Sequence, residues 1–286
     1  MSMEGLRAAL APTAGEWIAE RLRGFGSTVA CNVPTGFAAY ARVLHPVDLY
    51  APPVDFANDP TADPAEHSAT LTWTQVCERT GRTPHALMQW RSITTPAPGV
   101  QLPLSSEGRW DEVDVREGTL EPPALSSLLD VLALFTGEQE CHHALWEGYG
   151  WLTGASSFLV FAHADSEGGP PPPPPRPAQV PPQLQQALTA PRLSLPGRDH
   201  LLLAGPLRAA LAMGHQVTDD WFDPQSPNLL WPTDRSWCLA SEIDFDSTLI
   251  GGSVELIEAV LAARGLEAWA VQEEDDLSLF ADTLNT

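Results

Sequence analysis

Along the first half of the chain, apolar residues recur at helical spacing. Residues 14–23 place Trp17, Ile18 and Leu22 on one side, and residues 35–44 place Phe37, Tyr40, Ala41 and Leu44 at helical intervals behind Pro34. The clearest stripe runs over 124–136, with Leu125, Leu128, Leu129, Leu132 and Phe135 opened by Pro122-Pro123 and stopped by Gly137. Later the pattern changes. Arg198 to Ala204 ends in the apolar run Leu201-Leu202-Leu203 and reads as a strand, as does Ser236 to Asp244. Gly251-Gly252 then leads into a helix N-capped by Ser253, with Val254, Ile257, Val260 and Leu261 on one face. That helix is expected to end near Gly265, before a last strand over 266–271 and a frayed acidic tail from Glu273-Glu274-Asp275-Asp276.

Between these two patterns lies Gly168-Gly169, then the prolines Pro170 to Pro175, Pro177, Pro181 and Pro182. Consecutive prolines have no N–H to donate and favour an extended, semi-rigid conformation. This stretch reads as a spacer, with docking of a P-x-x-P reader beside Arg176 as the alternative. The expected fold class is therefore α+β: a mainly helical N-terminal lobe over 1–165, a Pro-rich linker over 166–190, and a smaller strand–helix–strand lobe over 191–286.

Charge narrows the partners. All 15 basic residues are arginines, against 37 acids, for a formal net charge of −22. Residues 1–165 carry nine arginines and twenty acids and residues 166–286 six and seventeen, so the excess is spread over the whole chain. Such a field repels phosphate backbones and anionic lipids and favours a basic partner, so neither nucleic acid nor membrane is expected. Cys31, Cys77, Cys141 and Cys238 form no C-x-x-C pair, no long apolar run is present, and the start of the chain has no basic or apolar leader. A cytoplasmic protein with free thiols is the expectation.

Four segments carry candidate chemistry. Ile243 to Ile250 resembles the first motif of haloacid-dehalogenase-type phosphatases, D-x-D-x-T at a strand end. The resemblance implies Asp244 as nucleophile, Asp246 as general acid and base, Thr248 as loop support and Mg²⁺ as cofactor. Only 36 residues follow Ile250, with Arg264 as their one cation. The plainer reading is a turn before a helix. Thr72 to Ile93 resembles a helix-turn-helix, with helices over 74–80 and 83–91 about Gly81, and is locally basic through Arg79, Arg82, His85 and Arg91. Glu140-Cys141-His142-His143, with His163 further on, lacks the spacing of a metal site and reads as a polar helix end, so no metal ligands are assigned. Finally, Ser226 to Trp237 sets Asn228, Trp231, Asp234, Arg235 and Trp237 in a proline-bounded loop. It reads either as a recognition surface or as a loop whose tryptophans plug the core.

That loop, the following Ser241 to Ser253 and the earlier Gly36 to Pro46 together resemble an uncharacterised family of bacterial proteins, a resemblance that implies no activity. Two functions follow as expectations. The first is an acidic interaction or immunity-type protein without catalysis and without a cofactor, binding a basic protein or a small ligand through the Trp231/Trp237 loop. The second is a Mg²⁺-dependent phosphohydrolase built on Asp244 and Asp246.

Overall fold

In the computed structural model, which describes residues 3–50, 67–100, 115–153, 180–217 and 221–286, strands from both ends of the chain meet in one sheet. The first half contributes β1 (Arg7–Ala8), α1 (Glu16–Arg21), α2 (Val29–Asn32), β2 (Ala39–Leu44), β3 (Val47–Tyr50), β4 (His67–Leu71), α3 (Trp73–Thr80), α4 (Trp90–Thr94), α5 (Pro122–Thr136) and β5 (Cys141–Trp146). The second half contributes α6 (Pro182–Thr189), β6 (Leu193–Leu195), β7 (Arg198–Gly205), β8 (Gly214–Gln216), β9 (Phe222–Pro224), β10 (Leu229–Pro232), β11 (Cys238–Ala240), β12 (Ser247–Gly252), α7 (Val254–Leu261) and β13 (Glu267–Val271). The sheet has nine strands in the order β1-β7-β5-β10-β11-β12-β2-β13, with β6 also on β7, and every neighbouring pair is antiparallel.

This arrangement corrects the expected mainly helical N-terminal lobe. Residues 39–44 form β2, and Cys141–Trp146 forms β5 in place of a helix end. The reason lies in how each face is covered. In β2, Ala41 and Val43 pack under α5 and α7, while Tyr40 and Leu44 pack into the clusters on the opposite face. A strand buried on both sides shows no alternation of apolar and polar residues, so its period of two is hidden and helical spacing is met by coincidence. Strands β1, β2 and β5 interleave with strands from beyond residue 190. The proline run itself lies outside the described residues, and α6 after it packs Leu184 and Ala187 into the core.

Elsewhere local chemistry and structure agree. α5 opens on Pro122 and stops at Gly137 with a φ of 61°, and α7 opens on Ser253, whose side chain accepts from the Leu256 amide. Because β12 and β13 both run antiparallel to β2, they are parallel to each other, and α7 is the crossover that joins them above β2. α3 has a capping box between Thr72 and Gln75 and ends at Gly81 in the left-handed region. No second helix follows over 83–89, so the expected recognition helix is absent: Arg82 donates to the Thr95 carbonyl and His85 bonds Asp282. The acidic tail is likewise docked rather than frayed. The Ala30 amide donates to the Glu273 carbonyl and the Leu277 amide to Ser27, and buried Asp282 accepts from Gln89, Leu284 and Asn285.

The interior also holds histidines. Burial pushes His45, His143 and His200 down to about 4 each. Neither ring nitrogen of His143 has a hydrogen-bond partner, and the nearby Gly205 and Pro206 backbone only partly offsets its desolvation. Below pH ~6.5 an unfolded histidine takes up a proton that its folded counterpart refuses, so stability is full above that pH and falls toward pH ~4 by about 1.4 kcal/mol per unit for each such group. The urea midpoint should therefore drop steeply between those limits, and His143→Leu should flatten the slope by one group's share. Parallel slopes for the two proteins would disprove this account.

Candidate functional site

The crossover between β12 and β13 leaves a groove at the edge of the sheet. Beside it, on the Tyr40 side of the sheet, Gly251 has to lack a side chain, since a Cβ there would lie 2.5 Å from the Phe37 ring and 2.8 Å from that of Tyr40. With no side chain in the way, Phe37 and Tyr40 pack edge to face over β12, their centroids 6.2 Å apart. α7 turns Leu256, Ile257 and Val260 into the core, while Val254 and Leu261 stay 45% and 38% exposed. Ala270 of β13 is exposed beside them. The space between, about 810 Å³ and partly open to solvent, is walled by these apolar groups and by Glu258, Glu273 and Glu274.

One of these carboxylates is fixed in place. Glu273 Oε1 accepts from the Tyr40 hydroxyl at 2.7 Å and from the Gly36 amide at 2.9 Å, and its Oε2 accepts from Arg23 at 2.9 Å. The Gly36 and Tyr40 hydrogen bonds hold its pKa below the usual carboxylate range, so it remains ionised. Burial, and after it the hydrogen bond to Glu273, push the Tyr40 phenol up, so that it remains a donor. Arg23 also reaches Glu274 at 3.1 Å. Three carboxylates thus face the groove, against one guanidinium.

The residues singled out from sequence do not gather at a single site. Trp231 and Trp237 are both fully buried but on opposite faces of the sheet, in the clusters under α1 and under α5 respectively. Asp234 and Arg235 sit exposed in the turn between β10 and β11, with Arg235 at a positive φ of 60°. Asn228 is buried and consumed: its Oδ1 accepts from the Trp146 amide, and its Nδ2 donates to the Ser241 carbonyl and the Tyr149 hydroxyl. Asp244 is 70% exposed and paired with Arg198, whereas Asp246 is 20% exposed and paired with Arg42. Asp246 adjoins the Leu44 end of β2 and Glu273 the Tyr40 end, so the two acidic clusters do not converge. Among the described residues, no group of three or more His, Cys, Asp or Glu side chains is placed to hold a metal ion.

A hydroxyl chain escaped the sequence reading. Ser241 Oγ lies 2.7 Å from Thr248 Oγ1, which lies 2.9 Å from His45 Nε2, and His45 Nδ1 meets the Arg116 carbonyl at 2.7 Å. Its connectivity is that of a nucleophile relay, but a carbonyl stands where a carboxylate would hold an imidazolium, and a base near pKa 4 takes no proton at neutral pH. All three side chains are buried, so the chain ties β11, β12 and the end of β2 together. Tyr40 and Glu273 were also missed as a pair, because 233 residues separate them. The one sequence signal for the groove was that the apolar stripe of α7 is wider than a single buried face requires.

No family model, curated protein or solved structure matches this chain. No helix among the described residues is long and apolar enough to cross a membrane. The two aspartates allow a direct check of the D-x-D-x-T segment. Asp244→Asn should change stability by less than ~1 kcal/mol, as for an exposed pair. Asp246→Ala should cost about 3–5 kcal/mol, because it leaves the buried Arg42 charge unpaired. Equal effects of the two substitutions in urea denaturation would contradict this assignment.

Proposed function

We propose that this protein is a non-catalytic docking protein that engages a basic partner protein through the groove between α7 and β13. The observation that carries this reading is the pairing of exposed apolar side chains, Val254 and Leu261, with Glu258, Glu273 and Glu274 around one concave surface. Apolar walls supply contact area, and the carboxylates select the sign of the partner.

The distribution of charge supports it. Arg7, Arg23, Arg42, Arg116, Arg192, Arg198 and Arg208 are all engaged in ion pairs with acids of the same chain. The remaining acidic excess acts outward and steers a basic partner inward over about a Debye length. A small ligand has less to meet. The cleft that contains Asn228, about 400 Å³ and partly open to solvent, is lined by Arg198 and Glu242, which pair with each other at 2.6 Å. The phosphohydrolase reading gains nothing from this geometry, since Asp244 and Asp246 are each held by a different arginine.

Affinity capture from lysate should retain basic proteins on the wild-type chain at low salt and release them by ~0.5 M salt, where the screening length falls to a few ångström. The Glu258→Gln/Glu274→Gln double variant should lose them. Identical retained sets on wild type and variant, or retention indifferent to salt, would overturn the proposal.

A further inference from the structure

The outer edge of β13 points to how such a partner is held. In the order of the sheet β13 is the terminal strand, bonded on one side to β2 across Leu44 to Tyr40. A terminal strand presents a row of backbone donors and acceptors along its free side, and proteins usually blunt such an edge with charge, proline or a bulge. Among the described residues no strand pairs with the other side of β13, and Ala268-Trp269-Ala270-Val271 carries no charge or proline and pairs with β2 without a bulge. Charge is kept to the ends. Glu267 is turned away, its carboxylate accepting from the amides of Trp73 and Thr74 at the start of α3, and Glu273 is held by Tyr40 and Gly36.

Side-chain size adds to this. Ala268 and Ala270 point to the side of the sheet that carries α7, as their partners Val43 and Ala41 do. Ala268 packs against the core, and Ala270 leaves the edge low beside the walls formed by Val254 and Leu261. The depression therefore lies alongside an open row of hydrogen-bonding groups, with Glu258 and Glu274 at its rim.

Resting on the docking reading above, we propose that the partner contributes an extended segment that adds to β13 as a further strand. Its alternate side chains face α7: apolar ones fill the depression beside Ala270, and lysine or arginine further along the same face meets Glu258 and Glu274. Main-chain hydrogen bonds supply affinity and the alternation of side chains supplies the choice of segment. A second copy of this chain is the wrong occupant by charge, since each copy carries a net −22.

The test uses the full-length protein and short synthetic peptides that carry valine and lysine at alternate positions on one face and threonine at the positions between, in two versions N-methylated on one or the other set of alternate residues. In an added strand only one set of amides faces β13. Fluorescence anisotropy at low salt should show affinity roughly tenfold or more weaker for one version, through the lost hydrogen bonds, and little change for the other. Those amides of 268–271 that point away from β2 should gain protection from hydrogen exchange on binding. Ala270→Arg, an exposed position whose effect on folding is checked by thermal melting, should lose the peptide while keeping the fold.

Equal affinity for both methylated versions, with binding still sensitive to salt, would overturn strand addition and leave the basic-partner reading standing. Failure of the unmethylated peptide to bind at low salt would overturn both. Concentration-dependent dimerisation lost in Ala270→Arg would give the edge to a second copy and overturn the proposal.

Discussion

A guanidinium taken fully out of water must find acceptors for its donors, and around Arg42 that requirement organises the middle of the molecule. The side chain is 1% exposed. Its Nε donates to Ser247 Oγ, one terminal nitrogen donates to the Ala86 and Met88 carbonyls, and the other pairs with Asp246 at 3.1 Å. The Trp73 ring covers one face at 5.6 Å. Burial pulls its basicity down and the Asp246 charge opposes that pull. Arginine tolerates such a site because its planar, delocalised cation can be satisfied by a fixed fork of acceptors.

From this one side chain several distant parts of the chain take their positions. β12 must run beside β2 in the register that sets Ser247 within reach, and the 86–88 segment must stay non-helical to turn two carbonyls inward. That need accounts for the failure of the expected recognition helix: a helix through 83–91 would spend those carbonyls on its own ladder. Trp73 in turn donates its indole N–H to the His45 carbonyl, which anchors α3 to the end of β2.

The opposite end of β2 carries the groove. Tyr40, on the same side of the strand as Arg42, holds Glu273 as a fixed anion, and Glu273 brings the acidic segment after β13 against α2. The groove and the edge strand beside it are thus by-products of a rigid centre. Positive charge is spent internally at Arg42, Arg116 and Arg198, each balanced by acids of the same chain, and the surplus of acids is left facing solvent.

Local chemistry was legible wherever a residue's own backbone neighbours decided its state. Pro122-Pro123 and Gly137 bounded α5, Ser253 capped α7, and the Leu201-Leu202-Leu203 run lay in β7. Strands β2 and β5 were not legible, because cover on both faces erases the alternation that identifies a strand. The meaning of Asp244 and Asp246 was not legible either: two letters apart in a familiar motif, one sits in solvent beside Arg198 and the other against Arg42, and which arginine reaches which carboxylate depends on strand order. The same holds for Tyr40 with Glu273 and for the free edge of β13. The sequence alone determined elements with local boundaries and the sign of the surface, since those depend on neighbours along the chain. Only the tertiary structure decided which strands pair, which charges are neutralised and which described strand ends the sheet, since those depend on groups that meet across more than two hundred residues.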